Sequence, residues 1–428
     1  MHVSAERTEE IKMIYYADNV NGTVSGNGLS PEDAVLDYTA LTLTPGDTVL
    51  LKRGNVYRSA LRLTPGEKGS PVTYGAYGEG EDPTFAGGTD VSLPTDWKMT
   101  ETENVWECVK PTRGSVGNFV FNGGECTATL RWEKEDLVAQ GDFYDSYAVE
   151  HPFSGRAVTE HLYLYSVGNP ASVYEGITAI DYGDRQLCTN KDNVCIDGLT
   201  FKNTSVHAIA GDGARNVTVR NCHFENIGGG VWNHGLRIRF GNAVEFWTFA
   251  ENILIEKCTF KNIYDSCITH QGPGNDTRPA VNLDVYDCVF DTYGMAAFEY
   301  RDKMPINSHF SGNVCRGAGT GFALLGETPP RRSEIWPQPM GHHIFLWRIE
   351  DATEGGSVTL ENNVFGDAPI GAAVYSIIDR RAEAQLTFKN NRYTRNDTLL
   401  VRFNGECFND LESYKAKCGK DEGSEYIV

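Results

Sequence analysis

Three carboxyl side chains, each in or beside a short apolar stretch, are the first candidates for chemistry in this sequence. Glu245 lies in VEFW, Asp265 comes just before CITHQ, and Glu299 lies in AFEYR. Two carboxyls held across a glycosidic bond can cleave it, because one protonates the leaving oxygen while the other acts as base or nucleophile. We therefore predict that Glu245, Asp265 and Glu299 supply the acid and base of such a reaction, provided that the fold brings them together.

Polar and aromatic side chains around these stretches are the candidate ligands of a sugar. Trp247 and Tyr264 offer apolar faces for stacking, and Arg301 would stabilise the ionised carboxylate of Glu299. Two alternatives stay open: His270 is as easily a buried core histidine, and the Glu and Arg residues could form surface ion pairs. The predicted substrate-binding residues are Trp247, Tyr264, Thr269, His270, Gln271, Tyr300, Arg301, His234 and Arg239.

The elements that would position these residues come from a repeat of short strands. NVTVRNCHFEN begins at Asn216, NILIEKCTFKN at Asn252 and NLDVYDCVFDT at Asn282. Each copy alternates apolar and polar residues on both sides of a polar corner. Such alternation, repeated every few tens of residues, is typical of a solenoid whose coils stack into one continuous core. We predict an all-β protein, a parallel β-helix whose crossovers are right-handed.

One slot of the repeat holds a cysteine in three copies, at Cys222, Cys258 and Cys288. The shared slot predicts that these thiols stack inside the coils as small hydrophobic groups. The chain has an odd number of cysteines, 11 in all, and none are paired at the spacing of a zinc site. We therefore expect reduced thiols, no metal and no other cofactor.

A third, more variable strand follows each copy and is expected to line a groove. Successive residues of a strand point to opposite faces, so Thr269 and Glu299 point outward if Ile268 and Phe298 point into the core. Coils lie ~4.8 Å apart. Glu245 and Glu299 would then lie on either side of Thr269 and ~9–10 Å from each other. That separation is near the top of the ~6.5–9.5 Å range of inverting glycosidases. The predicted third strands are Val244–Trp247, Cys267–Gln271, Ala297–Arg301 and Phe322–Glu327.

Asp265 lies at the rim of this groove, where it could pair with either of the other two carboxyls. The segment TPPRRSEIWPQPMGHHIFLW, which contains His342 and His343, is long enough to fold over the groove as a loop. The chain before the repeat is irregular. We predict a cap with irregular first coils over 1–90, a β-rich insertion packed on the helix over 91–185, and regular coils with a C-terminal cap over 186–428.

Composition excludes some partners. The chain has 38 Lys and Arg residues and 58 Asp and Glu residues, which gives a formal net charge of −20. This charge argues against nucleic acid and anionic membrane surfaces as partners and disfavours strongly anionic polymers as substrates. The N-terminus has no apolar signal region and the sequence has no run of 18 apolar residues. As given, the chain is predicted to be cytoplasmic, although a secreted protein shortened at its N-terminus would look the same. The oligomeric state is left open.

The segments RNVTVRNCHFENIGGG, RFGNAVEFW and AENILIEKCTFKNIYDSCITHQG resemble bacterial right-handed β-helix proteins associated with glycan breakdown. That group includes sequences similar to glycoside hydrolase family 141 and, more distantly, family 120. The resemblance spans most of the chain from about residue 14 to residue 300. It implies a pectate-lyase-like solenoid with acidic catalysts in the third-strand groove, which match Glu245 and Asp265.

We expect a glycoside hydrolase that acts on a plant or host oligosaccharide or polysaccharide. Two other classes remain. One is a polysaccharide lyase on the same fold, in which Tyr300, Arg301 or His270 would serve. The other is a non-catalytic solenoid that binds carbohydrate.

Overall fold

Three long sheets, each with one short strand per coil, make up most of the protein. Each strand pairs in parallel with the equivalent strand of the next coil, except where Val401–Phe403 meets Glu406–Phe408 in antiparallel. The prediction of an all-β parallel β-helix is confirmed. The computed structural model describes residues 12–147, 159–181, 186–233, 237–272, 278–320, 341–349, 352–368, 374–377, 383–394, 400–403 and 406–427.

The strands of the three sheets follow in chain order. The first sheet contains Ile14–Ala17, Thr48–Lys52, Val72–Tyr77, Val194–Asp197, Gly213–Arg220, Phe249–Glu256, Val281–Tyr286, Ser308–Ser311, Val358–Glu361 and Leu386–Lys389. The second contains Val56–Tyr57, Thr84–Ala86, Thr200–Thr204, His223–Ile227, Thr259–Ile263, Val289–Tyr293, Val314–Ala318, Val364–Phe365, Arg392–Thr394 and Glu425–Ile427. The third contains Gln186–Thr189, His207–Ala210, Val244–Trp247, Ser266–Gln271, Ala296–Arg301, His342–Trp347, Tyr375–Ile377, Val401–Phe403 and Glu406–Phe408.

The core is built from inward-facing residues that stack from coil to coil. Phe201, Phe224, Phe260 and Phe290 occupy one column of the second sheet, with successive ring centres 5.4, 4.8 and 4.8 Å apart and the rings nearly parallel. Offset stacking of this kind adds to the gain from burying apolar surface. The period-2 pattern of each repeat copy thus becomes one continuous core.

Asparagines turn the chain at one corner of successive coils. Asn193, Asn216, Asn252, Asn282 and Asn307 all have a φ between 50° and 57°, a left-handed conformation that asparagine adopts more readily than most residues. Each amide from Asn216 onward donates to the amide oxygen of the asparagine one coil earlier, at 2.7–3.0 Å. This ladder explains why most repeat copies begin with asparagine.

The cysteine slot lies at a different corner. Cys222, Cys258 and Cys288 are buried with at most 1% of their surface exposed, and all three are free thiols. The backbone N–H of Cys258 points at the sulfur of Cys288, 3.4 Å away. The predicted stack of reduced, buried cysteines is confirmed.

Asparagines take over the same slot in the later coils. The Cys288 N–H donates to Oδ1 of Asn313 at 2.9 Å, and the Asn313 N–H donates to Oδ1 of Asn363 at 3.0 Å. The Asn363 N–H in turn donates to Oδ1 of Asn391 at 3.0 Å. All three asparagines are buried, so these amides satisfy backbone groups that would otherwise lack partners.

The segment between the early and regular coils forms two further sheets with a core of its own, which includes Phe119, Phe121 and Phe143. It attaches to the coils partly through Ser205, whose hydroxyl donates to the Ser115 carbonyl at 2.9 Å. One sheet contains Thr89–Asp90, Asn118–Phe121, Cys126–Thr127 and Ile177–Ile180, and the other contains Trp97–Met99, Val105–Cys108, Thr129–Leu130, Asp142–Tyr147 and Thr159–Tyr165.

Helices are few and short in the described residues. The longer α-helix, Leu411–Cys418, begins after Asp410, whose carboxylate accepts the Ser413 N–H, and ends at the left-handed Gly419. None of the described helices is long and apolar enough to cross a membrane. The other helical segments are Pro31–Asp33, Tyr38–Ala40, Pro94–Asp96, Asn122–Gly124, Lys134–Asp136 and Pro170–Val173.

One strand of the third sheet differs from the prediction. The strand that pairs with Ala296–Arg301 is His342–Trp347, whereas the predicted strand Phe322–Glu327 lies outside the described residues. His342 and His343 therefore belong to the sheet rather than to a loop. The apolar run of residues 344–347 completes the coil.

Candidate active site

The outward face of the third sheet carries the predicted acids in one column. Thr269 is the pairing partner of Glu245 on one side and of Glu299 on the other, which confirms the predicted register. The two glutamates are thus two coils apart, ~9–10 Å at the backbone. The column continues with Phe345. A parallel column two residues further along runs Trp247, Gln271, Arg301 and Trp347.

Glu299 is fully buried, and both of its carboxylate oxygens have partners. Oε2 accepts the Ser266 hydroxyl at 2.5 Å, and Oε1 forms an ion pair with Nε of Arg301. A buried carboxylate is costly unless it is paired and hydrogen-bonded. Arg301 and Ser266 therefore offset the cost of burying Glu299 inside the site.

The carboxyl group of Glu245 is held by Asn242 and by His207. Nδ2 of Asn242 donates to Oε2 of Glu245 at 2.6 Å, and Nδ1 of His207 lies 3.1 Å from the same oxygen. Asn242 also donates its backbone N–H to His207 Nδ1 at 3.0 Å and accepts the Ser266 N–H at 2.9 Å. Asn242 thus fixes the Glu245 carboxyl, the His207 ring and the start of the next strand together.

Asp265 lies in the turn before Ser266–Gln271, with 7% of its surface exposed. Its backbone is fixed, because its N–H donates to the Gly241 carbonyl at 3.2 Å and its carbonyl accepts the Met295 N–H at 3.1 Å. A well-ordered turn of this kind can hold a side chain at the rim of the groove.

Arg301 interacts electrostatically with all three acids. Burial alone would lower the pKa of its guanidinium, yet the nearby carboxylates of Glu299, Asp265 and Glu245 together raise that pKa. All three acids therefore lie within electrostatic reach of one cation. The register places Glu245 and Glu299 in one column, and Asp265 lies in the turn before the strand between them.

The predicted sugar ligands fall into different environments. Trp247 is 38% exposed at the edge of the outward face, whereas Gln271 and Thr269 beside it are buried. Tyr264 is only 3% exposed, because its ring packs against Val120 and Ile180 of the insertion. Trp247 is the aromatic ring among these that a ligand can reach.

Arg239 joins the insertion to the coils. Its Nε donates to the Gly229 carbonyl at 2.6 Å, Nη2 donates to the Gly117 carbonyl, and the guanidinium lies 4.5 Å from the Tyr264 ring centre. These contacts bury the side chain. Arg239 thus fixes the insertion against the coils and, contrary to the prediction, does not present its guanidinium to a ligand. His234, another predicted ligand, lies outside the described residues.

The structure places His270 and Tyr300 in the core instead of the groove. Strand alternation turns both inward, and neither is more than 1% exposed. His270 pairs with Phe246 of the neighbouring strand, and Tyr300 shares its strand with Phe298. Burial lowers the pKa of His270 to about 4 and raises that of the Tyr300 phenol well above its usual value. As placed, neither side chain can contact a sugar in the groove.

Sequence reasoning missed an aromatic surface beside the acids. The Arg301 guanidinium lies 4.5 Å from the Trp347 ring centre, and Phe345 stacks on Trp347 with ring centres 5.9 Å apart. His342 stacks in turn on Phe345 at 4.6 Å. The signal was the run of four apolar residues in HHIFLW. Asn242, Ser266 and His207 were also missed, because most of their contacts join separate coils.

No group of three His, Cys, Asp or Glu side chains suited to a metal ion occurs in the described part of the chain. The chemistry available at the site is therefore that of carboxyls, a guanidinium, an imidazole, a hydroxyl and aromatic rings. Carboxyls in different surroundings can serve as acid and base at one pH.

Comparison with known proteins supports the architecture. A family model described as a right handed beta helix region matches residues 176–329. The chain folds as a right-handed parallel β-helix. A search of curated protein sequences gives no match.

Solved structures resemble this β-helix at low sequence identity. The GH136 lacto-N-biosidase from Eubacterium ramulus superposes with a TM-score of 0.50 and 13% identity, over 91% of this chain and 57% of its own. XylC, solved in complex with xylose, superposes with a TM-score of 0.54 and 14% identity, over 97% of this chain and 68% of its own. The β-helix described here thus spans less than two thirds of the lacto-N-biosidase. At these identities the likeness concerns the fold.

Proposed function

We propose that this protein is a glycoside hydrolase whose active site is the outward face of the third sheet. The observation that carries the proposal is the sheet register that places Glu245 and Glu299 on either side of Thr269, with Asp265 in the turn before that strand and Arg301 paired with Glu299. Glycosidic cleavage needs two carboxyls on either side of the scissile bond. The lacto-N-biosidase and the xylose-bound XylC among the structural neighbours support a carbohydrate substrate.

Within this proposal the three acids have different roles. Glu299 is fully buried and committed to Arg301 and Ser266, so it positions the guanidinium. Glu245 and Asp265 keep 6% and 7% of their surface exposed and transfer the protons. Trp247 offers its exposed ring for stacking on a sugar, and the surface of Phe345 and Trp347 closes the other end of the cluster.

A lyase on the same fold is less well supported. Two of the side chains that would serve as its base or ligand, Tyr300 and His270, point into the core. The third, Arg301, is paired with Glu299. An acidic glycan would also meet three carboxylates and the net charge of −20.

The test is a screen of the full-length protein against defined oligosaccharides, with product stereochemistry followed by NMR. We expect release of a reducing sugar, and loss of that release in Glu245→Gln. The configuration of the product at the anomeric carbon would show whether Glu245 and Asp265 act with inversion or with retention. An unsaturated product that absorbs in the near ultraviolet would replace this proposal with a lyase. Binding of glycans without turnover would identify a carbohydrate-binding solenoid instead.

A further inference from the structure

A groove of about 550 Å³ lies on the outward face of the second sheet, away from the third-sheet site. Its floor consists of the strands Thr200–Thr204, His223–Ile227 and Thr259–Ile263, and residues 80–82 form part of its wall. The lining is almost entirely charged or hydroxyl-bearing. Such a surface suits a polar, hydrated ligand rather than a lipid.

A histidine at the centre of this groove lies between a hydroxyl and a carboxylate. Nδ1 of His223 is 2.6 Å from Oγ1 of Thr259, and Nε2 is 3.3 Å from Oδ2 of Asp82. Asp82 is itself held by an ion pair between its other oxygen and Arg53. Its side chain is only 12% exposed, whereas that of His223 is 50% exposed.

The carboxylate decides which ring nitrogen carries the proton. A neutral imidazole has one N–H and one lone pair, and Asp82 favours the N–H at Nε2, where it can accept. Nδ1 then presents its lone pair to Thr259, whose hydroxyl donates into it. A hydroxyl that donates to a histidine oriented by an aspartate is the arrangement of an activated nucleophile.

The backbone holds this arrangement rigidly. His223 and Thr259 are direct pairing partners on neighbouring coils of one parallel sheet, so their side chains emerge side by side. The His223 N–H donates to the Leu199 carbonyl and the Thr259 N–H to the Cys222 carbonyl, both at 2.9 Å. Sites built on strands keep their geometry better than sites on loops.

We propose that Thr259, His223 and Asp82 form a second catalytic site, one that hydrolyses carboxylic esters of polar alcohols such as O-acylated sugars. Thr259 is the nucleophile, His223 is the base and Asp82 is a positioning residue. Lys202, which lines the same groove, supplies positive charge for the oxyanion, whereas Lys261 is paired with Glu225 at 3.5 Å. The proposal does not depend on the function of the third sheet.

The reaction follows from the geometry. Oγ1 of Thr259 attacks the acyl carbon as its proton passes to Nδ1 of His223. The bond from that carbon to the alcohol oxygen breaks, and the leaving oxygen takes the proton from Nδ1. Water then attacks the acyl carbon as Nδ1 takes one of its protons. The bond from that carbon to Oγ1 breaks, the carboxylic acid leaves, and Oγ1 takes the proton back from Nδ1.

The experiment measures hydrolysis of p-nitrophenyl acetate by the full-length protein. We expect turnover above the buffer rate, a loss of at least ~100-fold in Thr259→Val and His223→Asn, and retained turnover in Thr259→Ser. Asp82→Asn should lower kcat and leave KM unchanged, because an asparagine amide can donate to Nε2 and so favour the wrong tautomer. Mass spectrometry of the acylated protein should place the acetyl group on the peptide that contains Thr259.

His309→Asn is the matched control, since this histidine contacts Asp284 at 2.9 Å on the first sheet, and its turnover should equal that of the wild type. Glu245→Gln should also leave ester hydrolysis unchanged, which separates this site from the third-sheet site. Thermal melting checks that each variant is folded. Wild-type turnover no faster than buffer, or a folded Thr259→Val variant as active as wild type, would overturn the proposal.

Discussion

Glu299 and Arg301 lie two residues apart on one strand, so both side chains leave the same face of the third sheet and pair with each other. The carboxylate is fully buried, and the arginine side chain is 16% exposed. A pair so placed is worth little as a source of net stability, but removing one partner leaves a largely buried charge without compensation.

Glu299→Gln is therefore predicted to lower the stability of the protein. It removes the charge opposite Arg301, and breaking a buried pair in this way costs ~3–5 kcal/mol. Urea unfolding at pH 7 measures the change. Glu251→Gln, which removes a carboxylate from an exposed pair with Arg215, is the control and should change stability by less than ~1 kcal/mol. Equal stability of the two variants would contradict the structural role given to Glu299.

Glu245→Gln and Asp265→Asn are predicted to abolish most activity without unfolding the protein. Each keeps the size of the side chain and removes only its ionisation. We expect each to lose at least ~10³ in kcat on a substrate found by the oligosaccharide screen, within the range of a general acid or base. Retention of near-full activity by both amides, in protein that melts like the wild type, would refute the assignment of the acids.

Trp247→Ala is predicted to weaken substrate use without affecting the fold. The ring is 38% exposed, so its loss removes stacking surface but leaves no cavity in the core. The expected fall in kcat/KM corresponds to ~1–3 kcal/mol, by analogy with aromatic stacking on nucleic acid bases. Trp232, which is 37% exposed on the hairpin of Gly230–Asn233 and Ile238–Phe240, gives a matched control. An equal effect from Trp232→Ala would show that the loss is not specific to the groove.

Acid is predicted to destabilise the protein partly through two buried histidines. Burial lowers the pKa values of His270 and His343 to about 4, against ~6.5 in the unfolded chain. Below pH 6.5 the unfolded state binds more protons, so stability falls as the pH drops from about 6.5 to about 4. Each histidine accounts for ~3 kcal/mol of that loss.

The contribution of one histidine can be isolated by substitution. His270→Leu should lose ~3 kcal/mol less than the wild type between pH 7 and pH 4 in urea unfolding, because leucine cannot take up the proton. Acidic groups common to both proteins cancel in this difference. Parallel pH profiles for the two proteins would contradict the prediction.

The regular coils were predictable because a strand alternates with a fixed period. The repeat around Asn216, Asn252 and Asn282 fixed which residues share a column, and the neighbours of Thr269 followed from that register. The same alternation turns Tyr300 inward, so its selection as a ligand overlooked a rule that the sequence already contained. His270 could be read either way from its place at the end of a strand.

Other parts of the site carried no comparable signal. The hydrogen bond from Asn242 to Glu245 is local, but the contacts of Asn242 with His207 and Ser266 join separate coils. No spacing in the sequence indicates such contacts. The strand His342–Trp347 follows a long segment without the repeat, so its place in the third sheet depended on pairing that only the fold reveals.

The change from cysteine to asparagine at one corner has a consequence for how such a protein can grow or shrink by whole repeats. Cys222 and Cys258 each present only a small thiol to the neighbouring coil. Duplication of either coil therefore leaves the adjoining turns unchanged. Asn313 is different, because its N–H is satisfied only by the side chain of Asn363 in the following coil. Replacement of that coil by one with an apolar residue in the slot would leave a buried amide N–H without a partner, so this half of the solenoid tolerates length changes only where asparagine again follows asparagine.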